Sequence, residues 1–89
     1  MKEITMTLKH PWGLHARPAA LFVQTANRFK SKIQVRNGER EANAKSIMGI
    51  LSLGANQGAM ITIRAEGDDA EQAIQQLESL IESNFGESA

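Results

Sequence analysis

The chain has 89 residues, 42% of them apolar and 22% charged, with 10 basic residues balanced by 10 acidic ones. Those values suit one soluble globular domain spanning residues 1–89, and the charge balance argues against a nucleic-acid binder, which carries a basic excess. There is no cysteine, which excludes disulfides, thiolate metal sites and cysteine nucleophiles.

The opening residues alternate apolar with polar and lack the apolar block of a signal peptide. No apolar run approaches the ~20 residues of a membrane-spanning helix, so a cytoplasmic protein is the expectation. Ile4, Met6 and Leu8 alternate with Thr5, Thr7 and Lys9, the pattern of a half-buried strand. Pro11 and Gly13 end it. From Ala16 to about Phe29 the period changes, and Ala19, Phe22, Val23, Ala26 and Phe29 fall on one helix face. Pro18 lies in the first turn, where its missing N–H is tolerated. Ile33 and Val35 mark a second strand, Asn37-Gly38 a hairpin turn, and Glu39 to Asn43 a short polar return strand suited to a sheet edge. Ser46 and Gly54 bracket a short helix as N-cap and C′ residue. Ile61 and Ile63 alternate in a last strand. Asp69 with Gln72 reads as a capping box, before a helix whose stripe is Ala73, Ile74, Leu77, Leu80 and Ile81. The order is β-α-β-β-α-β-α. The class is α+β, a two-layer open-faced sandwich: an antiparallel four-stranded sheet with three helices on one face.

Two segments carry chemistry. The first is Gly13-Leu14-His15-Ala16-Arg17-Pro18-Ala19. His15 sits where a helix begins, and a helix start offers unpaired N–H groups and a positive dipole end that bind phosphate. Arg17 adds a fixed positive charge able to hold phosphate oxygens. The plainer alternative is a histidine that caps a helix and does nothing else. The second segment is Asn43 to Gly54, whose helix is unusually apolar. Ile50 and Leu53 share one face, while Ile47, Met48 and Leu51 share another, displaced one. A helix this short buries one face against a sheet, so the second cluster is expected to be exposed and to mark an interaction surface. The alternative is that all five are core. Leu21 and Gln24 lie with Arg17 on the polar face of the first helix and extend the same surface. His10 reads as a solvated loop histidine. Pro11 and Gly13 separate it from His15 and no carboxylate lies nearby, so no metal site is expected.

Together, Gly13 to Ala19 and Asn43 to Gly54 closely resemble the two motifs of the HPr family, the histidine-containing phosphocarriers of the bacterial phosphoenolpyruvate-dependent phosphotransferase system. The resemblance covers nearly the whole chain. It implies strand order 1-4-2-3. It implies that His15 takes a phosphoryl group from phospho-enzyme I and passes it to enzyme IIA of sugar transporters, with Arg17 stabilising the phosphorylated state. No cofactor is implied, and the carrier is not a turnover enzyme by itself. The run Lys45-Ser46-Ile47-Met48-Gly49 is similar to the Gram-positive form, which implies Ser46 as the target of an ATP-dependent kinase. In some lineages the phosphoseryl form also binds a transcriptional repressor. A regulatory binding module and a carrier in a non-sugar branch are the alternatives, and a monomer is expected. One residue departs from the pattern. Trp12 stands where the family usually has a small polar residue, and it reads either as a surface anchor for partners or as a cover over the core edge.

Overall fold

Seven elements follow one another in the computed structural model, which describes residues 1–86: strand β1 (Lys2–Thr7), helix α1 (Ala16–Ala26), strands β2 (Lys32–Asn37) and β3 (Arg40–Asn43), helix α2 (Ile47–Ser52), strand β4 (Met60–Glu66) and helix α3 (Ala70–Glu82). A closing turn, Asn84–Gly86, follows α3. The four strands form one sheet in the order β1-β4-β2-β3, with every neighbouring pair antiparallel.

The register puts the apolar alternants on one face. Ile4 opposes Ile63 and Met6 opposes Ile61 across β1 and β4, while Ile33 opposes Ala65 and Val35 opposes Ile63 across β2 and β4. The helices cover that face with Ala19, Phe22 and Ala26 of α1, Ile50 of α2, and Ala73, Ile74, Leu77 and Ile81 of α3, all buried. The bare face is polar, carrying the cross-strand pairs Glu3–Arg64 at 3.1 Å and Arg36–Glu41 at 3.5 Å. Exposed pairs of this kind are worth little, under about 1 kcal/mol each. β3, with its Arg40, Glu41 and Asn43, is an edge strand as its composition predicts. Gly38 takes φ +62° at the β2–β3 turn and Gly54 φ +61° just past α2, left-handed positions that a side chain would strain.

Three local expectations need correction. α1 ends at Ala26, so Phe29 lies in the following turn and is only partly buried. His10 is not solvated but 4% exposed. Asp69 stands at the N-cap of α3 without capping it. Its carboxylate instead accepts from the backbone N–H groups of Lys30 at 2.9 Å and Ser31 at 3.0 Å, and from the Ser31 hydroxyl. Three donors arriving from the α1–β2 connection outcompete the local cap, and they staple that connection to the start of α3.

The Ser31 hydroxyl, then the Lys30 N–H, hold the Asp69 carboxyl below its ordinary value of 3.8. A lowered folded-state pKa means the staple contributes fully above that ordinary value and is lost as the pH falls below it. Asp69→Ala is therefore expected to melt lower than the parent at neutral pH, with the gap closing in acid below about pH 3.8. Paired thermal melts across pH 2.5–7 check this. A gap of constant size would mean that the carboxylate charge plays no part.

Candidate functional site

The site is assembled by two loops that run together. Residues 8–14 are laced to residues 55–59: the Leu8 N–H donates to the Ala59 carbonyl at 2.8 Å, the Gly58 N–H to Leu8 at 2.7 Å, and the Leu14 N–H to Ala55 at 2.8 Å. The Gln57 side chain adds a bond to the Lys9 carbonyl at 3.1 Å. Gly13 lies at the tightest point. It has φ +57°, and a Cβ there would stand 2.2 Å from the Ala55 carbonyl oxygen. Only glycine allows the two backbones to close like this.

His15 follows directly, as the N-cap residue of α1 with extended backbone. Its side chain makes no capping bond, so the plain capping alternative does not describe it. The ring turns instead to Asn56, with His15 Nε2 2.9 Å from Asn56 Oδ1. A carboxamide oxygen only accepts, so Nε2 carries the hydrogen and donates it. That choice of tautomer leaves Nδ1 unprotonated, with its lone pair available. Pro11, Trp12, His15, Ala16, Asn56 and Gln57 line a shallow depression around the ring. Ala16, the first residue of α1, has φ +52°, an unusual left-handed conformation for a residue with a side chain.

The N-terminal turn of α1 offers fewer donors than an average helix start. Pro18 has no N–H, and the Ala19 N–H already donates to the His15 carbonyl at 3.4 Å. The N–H groups of Ala16 and Arg17 remain. The Arg17 side chain is exposed and forms no hydrogen bond or ion pair with the described residues. Among those residues there is also no cluster of three or more His, Asp or Glu able to hold a metal ion.

The α2 expectations divide as the helix geometry predicts. Ile50 is fully buried, while Met48 is 76%, Ile47 41% and Leu51 40% exposed. Ser46 is the N-cap, its Oγ accepting the Gly49 N–H at 3.1 Å. Gln24 is exposed, and nearby Asn27 donates from its side chain to the Lys45 carbonyl at 3.2 Å, tying α1 to the start of α2. Leu21 is less exposed than its polar neighbours suggest. It packs partly against the core and lines a shallow groove with Gln76 and Leu80 of α3. Trp12 is 53% exposed, with its ring 5.6 Å from that of the buried His10, so it both covers the edge of the core there and presents a surface. Asn56 is the residue that sequence reasoning missed. Within Ala55-Asn56-Gln57-Gly58 it looks like any turn asparagine, and nothing local points to a histidine 41 residues away.

The family model described as the PTS HPr component phosphorylation site matches residues 2–83. The chain belongs to the HPr family. It is 44% identical over 87 residues to the phosphocarrier protein HPr of Xylella fastidiosa strain Temecula1, covering 98% of each chain. It is 48% identical over 82 residues to the HPr-like protein Crh of Halalkalibacterium halodurans, covering 92% of this chain and 98% of that one. Its fold superposes on the crystal structure of an HPr from Thermoanaerobacter tengcongensis with a TM-score of 0.98 at 58% identity, over the full length of both chains. The open-faced sandwich is thus the family fold, and the chain's role is that of a phosphocarrier of the phosphotransferase system. No helix among the described residues is long and apolar enough to cross a membrane.

Proposed function

We propose that this chain relays a phosphoryl group on His15, from phospho-enzyme I to the enzyme IIA units of sugar transporters. The observation that carries this reading is the Nε2–Asn56 hydrogen bond, because it selects the tautomer whose Nδ1 lone pair is free. In the forward step that lone pair forms a bond to phosphorus while the donor's own bond to phosphorus breaks, its electron pair leaving with the donor. Nε2 keeps its hydrogen throughout, and Asn56 disperses the positive charge that builds on the ring. The N–H groups of Ala16 and Arg17 and the Arg17 guanidinium bind the arriving oxygens. No cofactor or metal takes part, and the carrier acts stoichiometrically, as a cytoplasmic monomer. The test is incubation with phosphoenolpyruvate and enzyme I followed by mass measurement. An acid-labile phosphate on residue 15 is the expected product, and a protein that stays unmodified would overturn the reading.

Partners dock on the exposed cluster Ile47, Met48 and Leu51 of α2, with Gln24 and Leu21 of α1 and with Trp12 at the rim of the depression. The chain's likeness to a Crh-type relative, with Ser46 at the helix start, favours a second, regulatory role. In it a serine kinase modifies Ser46, and the phosphoseryl form slows the relay and binds a transcriptional repressor. His15 argues against this as the sole role. Ser46→Asp is expected to keep or slightly raise the melting temperature, since Asp also caps helices and suits their N-termini. Its cost falls on encounter with an acidic partner. The concentration of carrier needed for half-maximal phosphorylation rises more than the limiting rate falls, and added salt shrinks the effect. A defect confined to the limiting rate and indifferent to salt would rule this mechanism out.

A further inference from the structure

We propose that His10 is a positioning residue for phosphoryl transfer: it holds the turn that places His15 and the Trp12 wall beside it. This rests on the carrier reading above.

His10 bonds to the chain ahead of it twice. Its carbonyl accepts the Gly13 N–H at 2.9 Å and its Nδ1 accepts the Trp12 N–H at 3.1 Å. The second bond, from residue i to i+2, does for this turn what an Asx side chain does in an Asx-turn. An accepting Nδ1 puts the ring hydrogen on Nε2. The ring itself is buried at 4% exposure, with the Trp12 ring at 5.6 Å and the Phe85 ring at 5.8 Å, the latter edge-on at 81°. Phe85 comes from the closing turn beyond α3 and is itself buried, at φ +58°. A tightly placed imidazole between two aromatic rings, with its Nδ1 engaged, is poorly suited to being a nucleophile and well suited to being a fixed strut.

What it fixes is the approach to His15. The turn delivers Gly13 to its contact with Ala55, Leu14 to its buried seat, and His15 to Asn56. The same turn carries Trp12, which with His15 lines the depression. Without an acceptor at residue 10 the Trp12 N–H turns to water and the turn loosens on the side facing His15. Small displacements of a reacting group lower rates steeply.

The experiment compares the parent, His10→Phe and His10→Asn. Phenylalanine keeps a ring between Trp12 and Phe85 but removes the acceptor. Asparagine gives up the ring yet offers an oxygen for the same i to i+2 bond. Trp12 is the only tryptophan and there is no tyrosine, so intrinsic emission and its anisotropy read this turn directly, with no phosphoryl donor present. Expected for His10→Phe are lower anisotropy, red-shifted emission and an about tenfold lower limiting rate of enzyme I-dependent phosphorylation, with a smaller change in the half-saturating concentration. His10→Asn should restore most of both. Should the phenylalanine variant fail to fold, His10→Gln replaces it, because its oxygen sits one methylene too far for the bond. Unchanged rate and anisotropy without the acceptor, or equal losses in the asparagine variant, would overturn the proposal. A parent that acquires no phosphate at residue 15 would instead overturn the carrier reading, and this proposal with it.

Discussion

His15→Ala is expected to abolish phosphorylation by enzyme I while leaving the fold standing. The ring is a partly buried N-cap side chain with a single hydrogen bond, to an exposed asparagine. Deleting such a bond costs about 1 kcal/mol, small beside the ~5–15 kcal/mol that holds a domain together. The Asn56 carboxamide is exposed and rehydrates. No other side chain can take over the chemistry: His10 is buried with its Nδ1 occupied, and there is no cysteine. Mass measurement after incubation with phosphoenolpyruvate and enzyme I, beside a thermal melt, gives both halves of the answer. A variant that still acquired an acid-labile phosphate would remove His15 from the role proposed for it.

Ile50→Asp and Met48→Asp, two positions apart on one short helix, should have opposite consequences. Ile50 is fully buried in the core beneath α2. Placing a carboxylate there removes the burial of a large side chain and adds an unpaired charge, together about 4 kcal/mol or more. In a domain of this size that unfolds much of the population. Met48 is 76% exposed, and the same substitution there should alter stability by no more than about 0.5 kcal/mol. Its effect should appear in docking, as an about tenfold weaker affinity for enzyme I, the loss of roughly 1.4 kcal/mol. Circular-dichroism melts and a binding titration separate the two. Large and equal losses of stability would show that α2 has no free apolar face.

The readings that survived are those in which the deciding interaction is local. The Asn37-Gly38 turn and the Ser46 cap rest on neighbours a few residues away, and the alternation of Ile61 and Ile63 is a local pattern that marks which side of the strand is buried whatever its partners. The split between Ile50 and Met48 follows from helix periodicity alone. The strand order is different in kind. Alternation says which face of a strand is buried and nothing about its neighbours, so β1-β4-β2-β3 came from family resemblance. The misread residues are those claimed by distant partners. Asp69 has the spacing of a capping box, but three donors from the α1–β2 connection reach it first. His10 sits among loop residues, and its cover includes Phe85 from the far end of the chain. Asn56 matters only because a glycine at residue 13 lets two loops close on each other.

The pairing of β1 with β4 has a consequence for synthesis. A growing chain presents His15 early, yet the strand that completes the sheet beside β1 and the asparagine that orients the imidazole are both made much later. Until residues 60–66 have left the ribosome, β1 has no neighbour in the sheet. Non-local pairings of this kind form late and slowly. Nascent chains and C-terminally truncated fragments ending before Asn56 should therefore carry His15 in an unfolded segment and, on the role proposed for it, fail to accept a phosphoryl group. On the role proposed for His15, only a chain synthesised through most of its length would be a competent acceptor, and incomplete translation products would not siphon phosphate from the donor.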